Sequence, residues 1–460
     1  MRVFMLGWEF PPFISGGLGT ACYGLTKAMS GIGTDVMFVL PRPVSSPFST
    51  HVRLVSPRAG SPLALPSTEF RLDEFENVTF RTVDAAIGDP YERPADLRDA
   101  RAKAIASMLQ TQPVDPLAPK PSPSSLPAPA GEAVGPEPAA KPNAHYTGDL
   151  FSETQRYAAL AAEISRHESF DVVHAHDWMT FPAGLAVAGL RGVPLVVHVH
   201  STEFDRSGMH VDQRIYDIER RGMHGAIRVI AVSHLTKNII VHHYGVEPSK
   251  VEVVYNAIES NGNGTGHPEA PEKFQIHNDE KLVLFLGRIT MQKGPEYFLA
   301  AAKKVLEVMD NVKFVMAGSG DLIRRTIEMA AAMGIGHKVL FTGFLRGSDV
   351  EKVFKMADLY VMPSVSEPFG IAPLEAMSHD VPVIISKQSG VSEVLSHALK
   401  VDFWDINEMA NKIIAVLRHP PLATVLREHG SFEVRRLSWT DSARACLNVY
   451  EQARNAMHGN

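Results

Sequence analysis

KLVLFLGRITMQKGPEYFLAAAKKVLEVMDNVKFVMA, residues 281–317, reads as one strand, one helix and a second strand. The run 281–287 is almost wholly apolar and does not alternate, as expected of a strand buried on both faces. Glycine, proline and a helical period follow over 294–309, and a second apolar run closes the unit at 312–317. Downstream the same alternation predicts helix 321–334, strand 338–342, helix 348–357, strand 359–363, helix 373–379 and strand 381–386. Upstream it predicts strands 2–8, 35–41, 171–176, 195–200, 227–232 and 251–255, with helical patterns such as 19–30 and 180–190 between them. Repeated strand–helix units require parallel sheets covered by helices, so the expected class is α/β with two doubly wound parallel-sheet domains. In such sheets ligands bind outside the carboxyl ends of the strands.

Composition excludes several function classes. The 460 residues are enough for two to four domains with proper cores. A formal charge of −6 argues against general nucleic-acid or anionic-membrane affinity. Two cysteines, Cys22 and Cys446, are too few for a disulfide scaffold or a four-ligand zinc site. The first apolar run ends by Pro11, too short for a signal-peptide core, and no segment approaches a membrane span. The expectation is a cytoplasmic enzyme without stable membrane insertion. Residues 113–142 carry ten prolines in thirty positions and read as a disordered or polyproline-like insert in the first domain. An interdomain linker is the other reading of that segment. The polar, turn-rich GNGTGHPEAPEK, 262–273, marks a boundary.

The candidate chemistry follows strand ends. GWEFPPFISGGLGTACYGL, 7–25, places Gly16, Gly17 and Gly19 before a helical pattern. The spacing is neither G-x-G-x-x-G nor a P-loop, which leaves a glycine turn open to an anion or sugar, or a tight turn with no ligand. FLGRITMQKG, 285–294, sets Arg288 and Lys293 beside a helix start, where two fixed cations suit a diphosphate; taken alone, they also read as a solvated pair. PSVSEPFGIAPLEAM, 363–377, sets Glu367 in a loop and Glu375 in the next helix, two carboxylates suited to vicinal hydroxyls or to plain solvent exposure. VVHAHDWMTFPAGL, 172–185, and VVHVHSTEFDRSG, 196–208, present His174, His176, Asp177, His198, His200 and Glu203. Two histidines and an acid raise the question of a metal. Because the His-x-His pairs occupy separate strands and no cysteine stands nearby in the chain, the expectation is no metal and a histidine hydrogen-bonding a hydroxyl.

Together these motifs resemble a GT-B glycosyltransferase of the large retaining family that includes glycogen, starch, sucrose and sucrose-phosphate synthases. GRITMQKG resembles the family's G-R-x4-K-G, and EPFGIAPLE its Glu-x7-Glu signature. WEFPP…GGLG and VHAHDW resemble the synthase branch, and SWTDSARACLNVY, 438–450, resembles the terminal segment that crosses back onto the first domain. The implied organisation is an acceptor-side domain over 1–258, a linker over 259–275, a nucleotide-sugar domain over 276–436 and a returning helix over 437–460. The resemblance implies Gly16 and Gly17 against the donor phosphates, Arg288 and Lys293 on the diphosphate, and Glu367 facing the transferred sugar with backbone of Phe369, Gly370 and Ile371. It further implies Glu375 at the ribose, His200 near the reacting centre, Asp177 near sugar or acceptor, and Leu345 against the base. The implied reaction is retaining hexosyl transfer from ADP- or UDP-glucose to an α-glucan, with no cofactor and no obligatory metal. Ser15 stands where bacterial glycogen synthases have lysine, and Ser389-Gly390 replaces a usual Gly-Gly. A transferase making a small or lipid-linked product and a non-catalytic carbohydrate binder are the competing readings; an epimerase and a pyridoxal-dependent phosphorylase fit the motifs less well.

Overall fold

In the computed structural model, residues 1–10, 17–41, 52–55, 67–72, 77–83, 150–258, 280–345 and 347–458 are described. Gly16, the proline-rich segment 113–142 and the expected linker 259–275 lie outside them. The chain divides into two compact units, Met1–Ala86 with Ser152–Asn460, and Ile87–Phe151. Both sheets belong to the first.

The first sheet comprises β1 (Arg2–Leu6), β2 (Asp35–Leu40), β3 (Val52–Val55), β4 (Ser67–Leu72), β5 (Val78–Val83), β6 (Val172–His176), β7 (Leu195–Val199), β8 (Arg228–Ala231) and β9 (Val251–Val253). Its order is β3-β4-β5-β2-β1-β6-β7-β8-β9. From β5 to β9 every pairing is parallel, whereas β3–β4 and β4–β5 are antiparallel. The second sheet comprises β10 (Lys281–Leu286), β11 (Val312–Ala317), β12 (Val339–Gly343), β13 (Leu359–Met362), β14 (Val383–Ser386) and β15 (Leu399–Val401). Its order, β12-β11-β10-β13-β14-β15, is parallel throughout.

Each parallel sheet starts at its centre, runs outward one way, then returns to add strands on the other side. The order therefore reverses between β1 and β6 and again between β10 and β13, and crevices at strand ends form at such reversals. The expected α/β, doubly wound class is what the chain adopts. Strands β3, β4, β5 and β15 are additions to the sequence reading. Polar residues in Ser67–Leu72 break the apolar-run signal, and Leu399–Val401 has only three residues.

The cores explain the layering. Val3, Met5, Phe38, Val172 and Val196 are fully buried against Cys22 and Leu25 of helix Gly17–Gly31 and Ala443, Cys446 and Tyr450 of helix Trp439–His458. The terminal helix thus packs on the first sheet. Its Trp439 ring lies against Gly24, where an added Cβ would come within 2.3 Å of the indole. The second sheet buries one face against Phe298, Ala302, Met409 and Ile413 and the other against Phe354, Leu374 and Met377.

Candidate active site

The segments that leave β10 and β13, neighbours at the reversal of the second sheet, are built into each other. After β10 the chain makes a short 3-10 turn, Met291–Lys293, and Gly294 takes a left-handed φ of 64° to start helix Pro295–Leu306. A Cβ on Gly294 would stand 2.1 Å from the Pro363 carbonyl, so only glycine lets the turn sit on the loop after β13. The Val365 N–H donates to the Gln292 carbonyl at 2.8 Å, closing the two loops together.

That closure brings Lys293 and Glu367, 74 residues apart in the chain, to 2.5 Å. Glu367 is 6% exposed, and the Ser364 hydroxyl donates to the same carboxylate oxygen at 3.2 Å. Its backbone is pinned as well, donating to the Gln388 carbonyl and accepting from Gly390 N–H. Arg288 is exposed at the same turn and donates to the Gln292 side chain at 3.3 Å. Gln292 therefore links Arg288 to the glutamate loop, a role hidden inside the quoted motif and visible only in space.

Glu375 lies in helix Ala372–Ser378, and burial pushes its carboxyl up to about 7. Tyr360 on β13 is driven upward by burial and then by Glu367 and Glu375, which marks it as the side chain standing near both carboxylates. Gly370 has a φ of 101°, and Ile371 caps the helix that carries Glu375. The Phe369 ring belongs to the core beside Tyr255, so only its backbone is available for hydroxyl groups. Leu345 packs partly buried on the same core.

Beside the reversal of the first sheet, the exit from β6 lies next to the exit from β7. Gly17 opens helix Gly17–Gly31, and among the described residues no atom lies within 4 Å of an added Cβ there. Asp177 adopts φ 59°, rare for a non-glycine residue and a form of strain that clusters at functional sites. Its Oδ1 accepts the N–H groups of His200 at 2.7 Å and Ser201 at 3.3 Å. Burial raises this carboxyl to about 7 against the lowering effect of those bonds. Asp177 thus holds the backbone that carries His200, in addition to whatever it offers a ligand.

The histidines are nearer each other than their spacing in the chain implied. β6 and β7 are adjacent, with His176 opposite His198. Rings of His174 and His176 are 4.2 Å apart, as are those of His198 and His200, and His174 stacks on His198 at 5.3 Å. His176 Nδ1 lies 2.9 Å from His200 Nε2, and His174 Nδ1 lies 2.6 Å from the Tyr450 hydroxyl. Burial lowers all four, His174 and His200 to about 3, so they are neutral. The argument from separate strands against a shared ligand set is therefore corrected, because adjacent parallel strands merge the pairs. So is the absence of a cysteine: donor atoms of Cys22, His176 and His200 all lie within 4.8 Å of one another.

The two reversals meet through segment 201–207 and the loop after β13. Ser366, next to Glu367, donates to Asp205 at 2.6 Å, and Ser233 donates to the Pro368 carbonyl at 2.6 Å. Asp205 belongs to a capping box with Thr202, two residues beyond His200. Glu393 accepts from the N–H groups of His234 and Leu235 at 2.9 and 2.7 Å. None of Asp205, Ser366, Ser233 and Glu393 carried a sequence signal for this contact.

The model described as "Glycosyl transferases group 1" matches residues 267–431, "Glycosyltransferase Family 4" matches 107–261, and "Starch synthase catalytic domain" matches 2–89. An uncharacterized glycosyltransferase of Methanocaldococcus jannaschii is 33% identical over 303 residues, 63% of this chain and 77% of that protein. The chain belongs to the GT-B glycosyltransferases. Glycogen synthase of Mycobacterium tuberculosis is 24% identical to this glycosyltransferase over 464 residues, 99% of this chain and 95% of that one. Among solved structures, sucrose-phosphate synthase of Thermosynechococcus elongatus superposes with a TM-score of 0.68 at 18% identity, over 99% of this chain and 100% of that one. That likeness speaks for the fold. No helix of the described residues is long and apolar enough to cross a membrane.

Proposed function

We propose that this glycosyltransferase moves glucose from ADP- or UDP-glucose to an α-glucan with retention of the anomeric configuration. The observation that carries the reading is the Lys293–Glu367 pair at the β10/β13 reversal, with Arg288 on the same turn. One group is a cation suited to a departing diphosphate, and the other is a carboxylate suited to sugar hydroxyls. As the bond from the anomeric carbon to the phosphate oxygen breaks, charge grows on the diphosphate. Arg288 and Lys293 stabilise it, and no metal is needed there. The new bond to the acceptor oxygen forms on the same face, and the acceptor proton passes to the leaving phosphate. Glu375 accepts the ribose hydroxyls, Gly17 approaches the donor from the first sheet, and His200 faces the reacting centre. Match to a glycogen synthase along nearly the whole chain supports a glucan over a small acceptor.

The test is nucleotide release from ADP-glucose and UDP-glucose in EDTA, with and without malto-oligosaccharide. Release that depends on the oligosaccharide is expected, and the faster donor names the base. Release that ignores the oligosaccharide, or none with either donor, removes the glucan assignment.

A further inference from the structure

We propose that His174, His176 and His198 bind a divalent transition-metal ion of the zinc class, in a closed site separate from the diphosphate turn. The three donor nitrogens lie within 4.8 Å of one another, and the residues are at most 2% exposed. His174 Nε2, His176 Nε2 and both nitrogens of His198 are buried without a hydrogen-bond partner among the described residues. Leaving such a group unpaired costs about 1–3 kcal/mol, and each of the three rings carries at least one such nitrogen. A single ion that takes one nitrogen from each ring relieves that cost.

The partnered nitrogens support the same assignment. Histidine ligands are oriented by a hydrogen bond at the ring nitrogen that does not touch the metal. His174 uses Nδ1 on the Tyr450 hydroxyl and His176 uses Nδ1 on His200, which in each case leaves Nε2. Imidazole donors select zinc, cobalt, nickel or copper over magnesium or calcium. The Cys22 thiol stands beside His176 and His200 within the same limit, a soft donor at the border of the set. Tetrahedral zinc holds nitrogens about 3.3 Å apart, so the trio closes by at most about 1.5 Å on binding. Bound there, the ion ties β6 to β7 behind the backbone that carries Asp177 and His200.

The experiment uses the full chain without a histidine tag, loaded with Zn²⁺ and exhaustively dialysed. Elemental analysis should return about one zinc per chain, and Co²⁺ loading should give visible d–d bands of a low-symmetry nitrogen site. His198→Phe keeps a stacked ring and removes a donor, and should lose the zinc and the cobalt bands while retaining native circular dichroism. Should that variant fail to fold, the elemental and cobalt measurements on the unaltered chain decide alone. Wild-type protein that keeps no stoichiometric ion and shows no cobalt bands overturns the site. So does a folded His198→Phe that holds zinc as the wild type does. Neither result depends on glycosyl transfer, so the proposed activity and the metal site stand or fall separately.

Discussion

Replacing Lys293 by methionine separates the two jobs its side chain has in this arrangement. In the free protein Lys293 pairs with Glu367 at 2.5 Å, with side-chain exposures of 22% and 8%. Removing one partner of a fully buried pair costs about 3–5 kcal/mol, and the partial exposure of Lys293 reduces that here to about 1–3 kcal/mol. The melting temperature should fall by several degrees. Turnover should fall further, by about 10²–10³-fold, the weight of one preorganised donor to a developing oxyanion. Glu367→Gln on the Lys293→Met background distinguishes the causes. It removes the stranded carboxylate and should restore most of the lost melting temperature, because no buried charge is then uncompensated. It should not restore turnover. Calorimetry and donor-saturated initial rates on the four proteins of the cycle provide both readouts. A Lys293→Met enzyme that melts early yet turns over at the wild-type rate would refute the diphosphate assignment and leave Lys293 as the structural partner of Glu367.

Gly390→Ala places a Cβ 2.2 Å from the Pro368 carbonyl and 2.5 Å from Ser233 Cβ. The loop bearing Glu367 must shift, so kcat should drop by at least about tenfold with intact secondary structure, which steady-state rates and circular dichroism will check. Burial raises the Glu375 carboxyl from 4.5 to about 7, so the stability it contributes is full below about pH 4.5 and is lost as pH rises through 7. Glu375→Gln should therefore gain on the wild type by at most about 3 kcal/mol between pH 5 and pH 8 in denaturant titrations. Donor binding that needs the ionised carboxylate should weaken below about pH 7 in the wild type and lose that dependence in Glu375→Gln, as calorimetric titration will show. Glu393→Ala removes the carboxylate from His234 and Leu235 N–H and from the Tyr255 hydroxyl. About 1 kcal/mol of helix-cap stability should go, read as a lower melting temperature, and small-angle scattering should report a more open molecule.

The fold was legible because strands buried on both faces leave unbroken apolar runs. β1, β2, β6–β11, β13 and β14 fall within the expected spans, and β12 runs one residue past its expected end. Edge and antiparallel strands carry no such run, which is why Ser67–Leu72 escaped. Groups close in the chain were legible as neighbours too: Arg288 with Lys293, and Glu367 with Glu375, lie within a few residues of each other. Pairings across strands were not. Nothing local in the sequence places Lys293 on Glu367, Cys22 beside His176, or Tyr450 on His174. Those depend on strand order, since β10 meets β13 and β1 meets β6 only once the sheets have wound outward from their centres.

Neither sheet holds the Glu367 loop by itself. From its own side the loop is fixed by Gln292, Gln388 and Gly390. From the other it is held by Ser233 on Pro368 and by Asp205 on Ser366. Asp205 in turn sits in the capping box that begins two residues after His200, and His200 is anchored by Asp177. A continuous line of hydrogen-bonded groups therefore runs from the left-handed turn at Asp177 to the carboxylate of Glu367. Strain at Asp177 is affordable because both backbone amides it accepts lie on that line. Loosening either end should move the other, so the histidine side and the glutamate side of the cleft act as one unit, their spacing set by bonds between the halves.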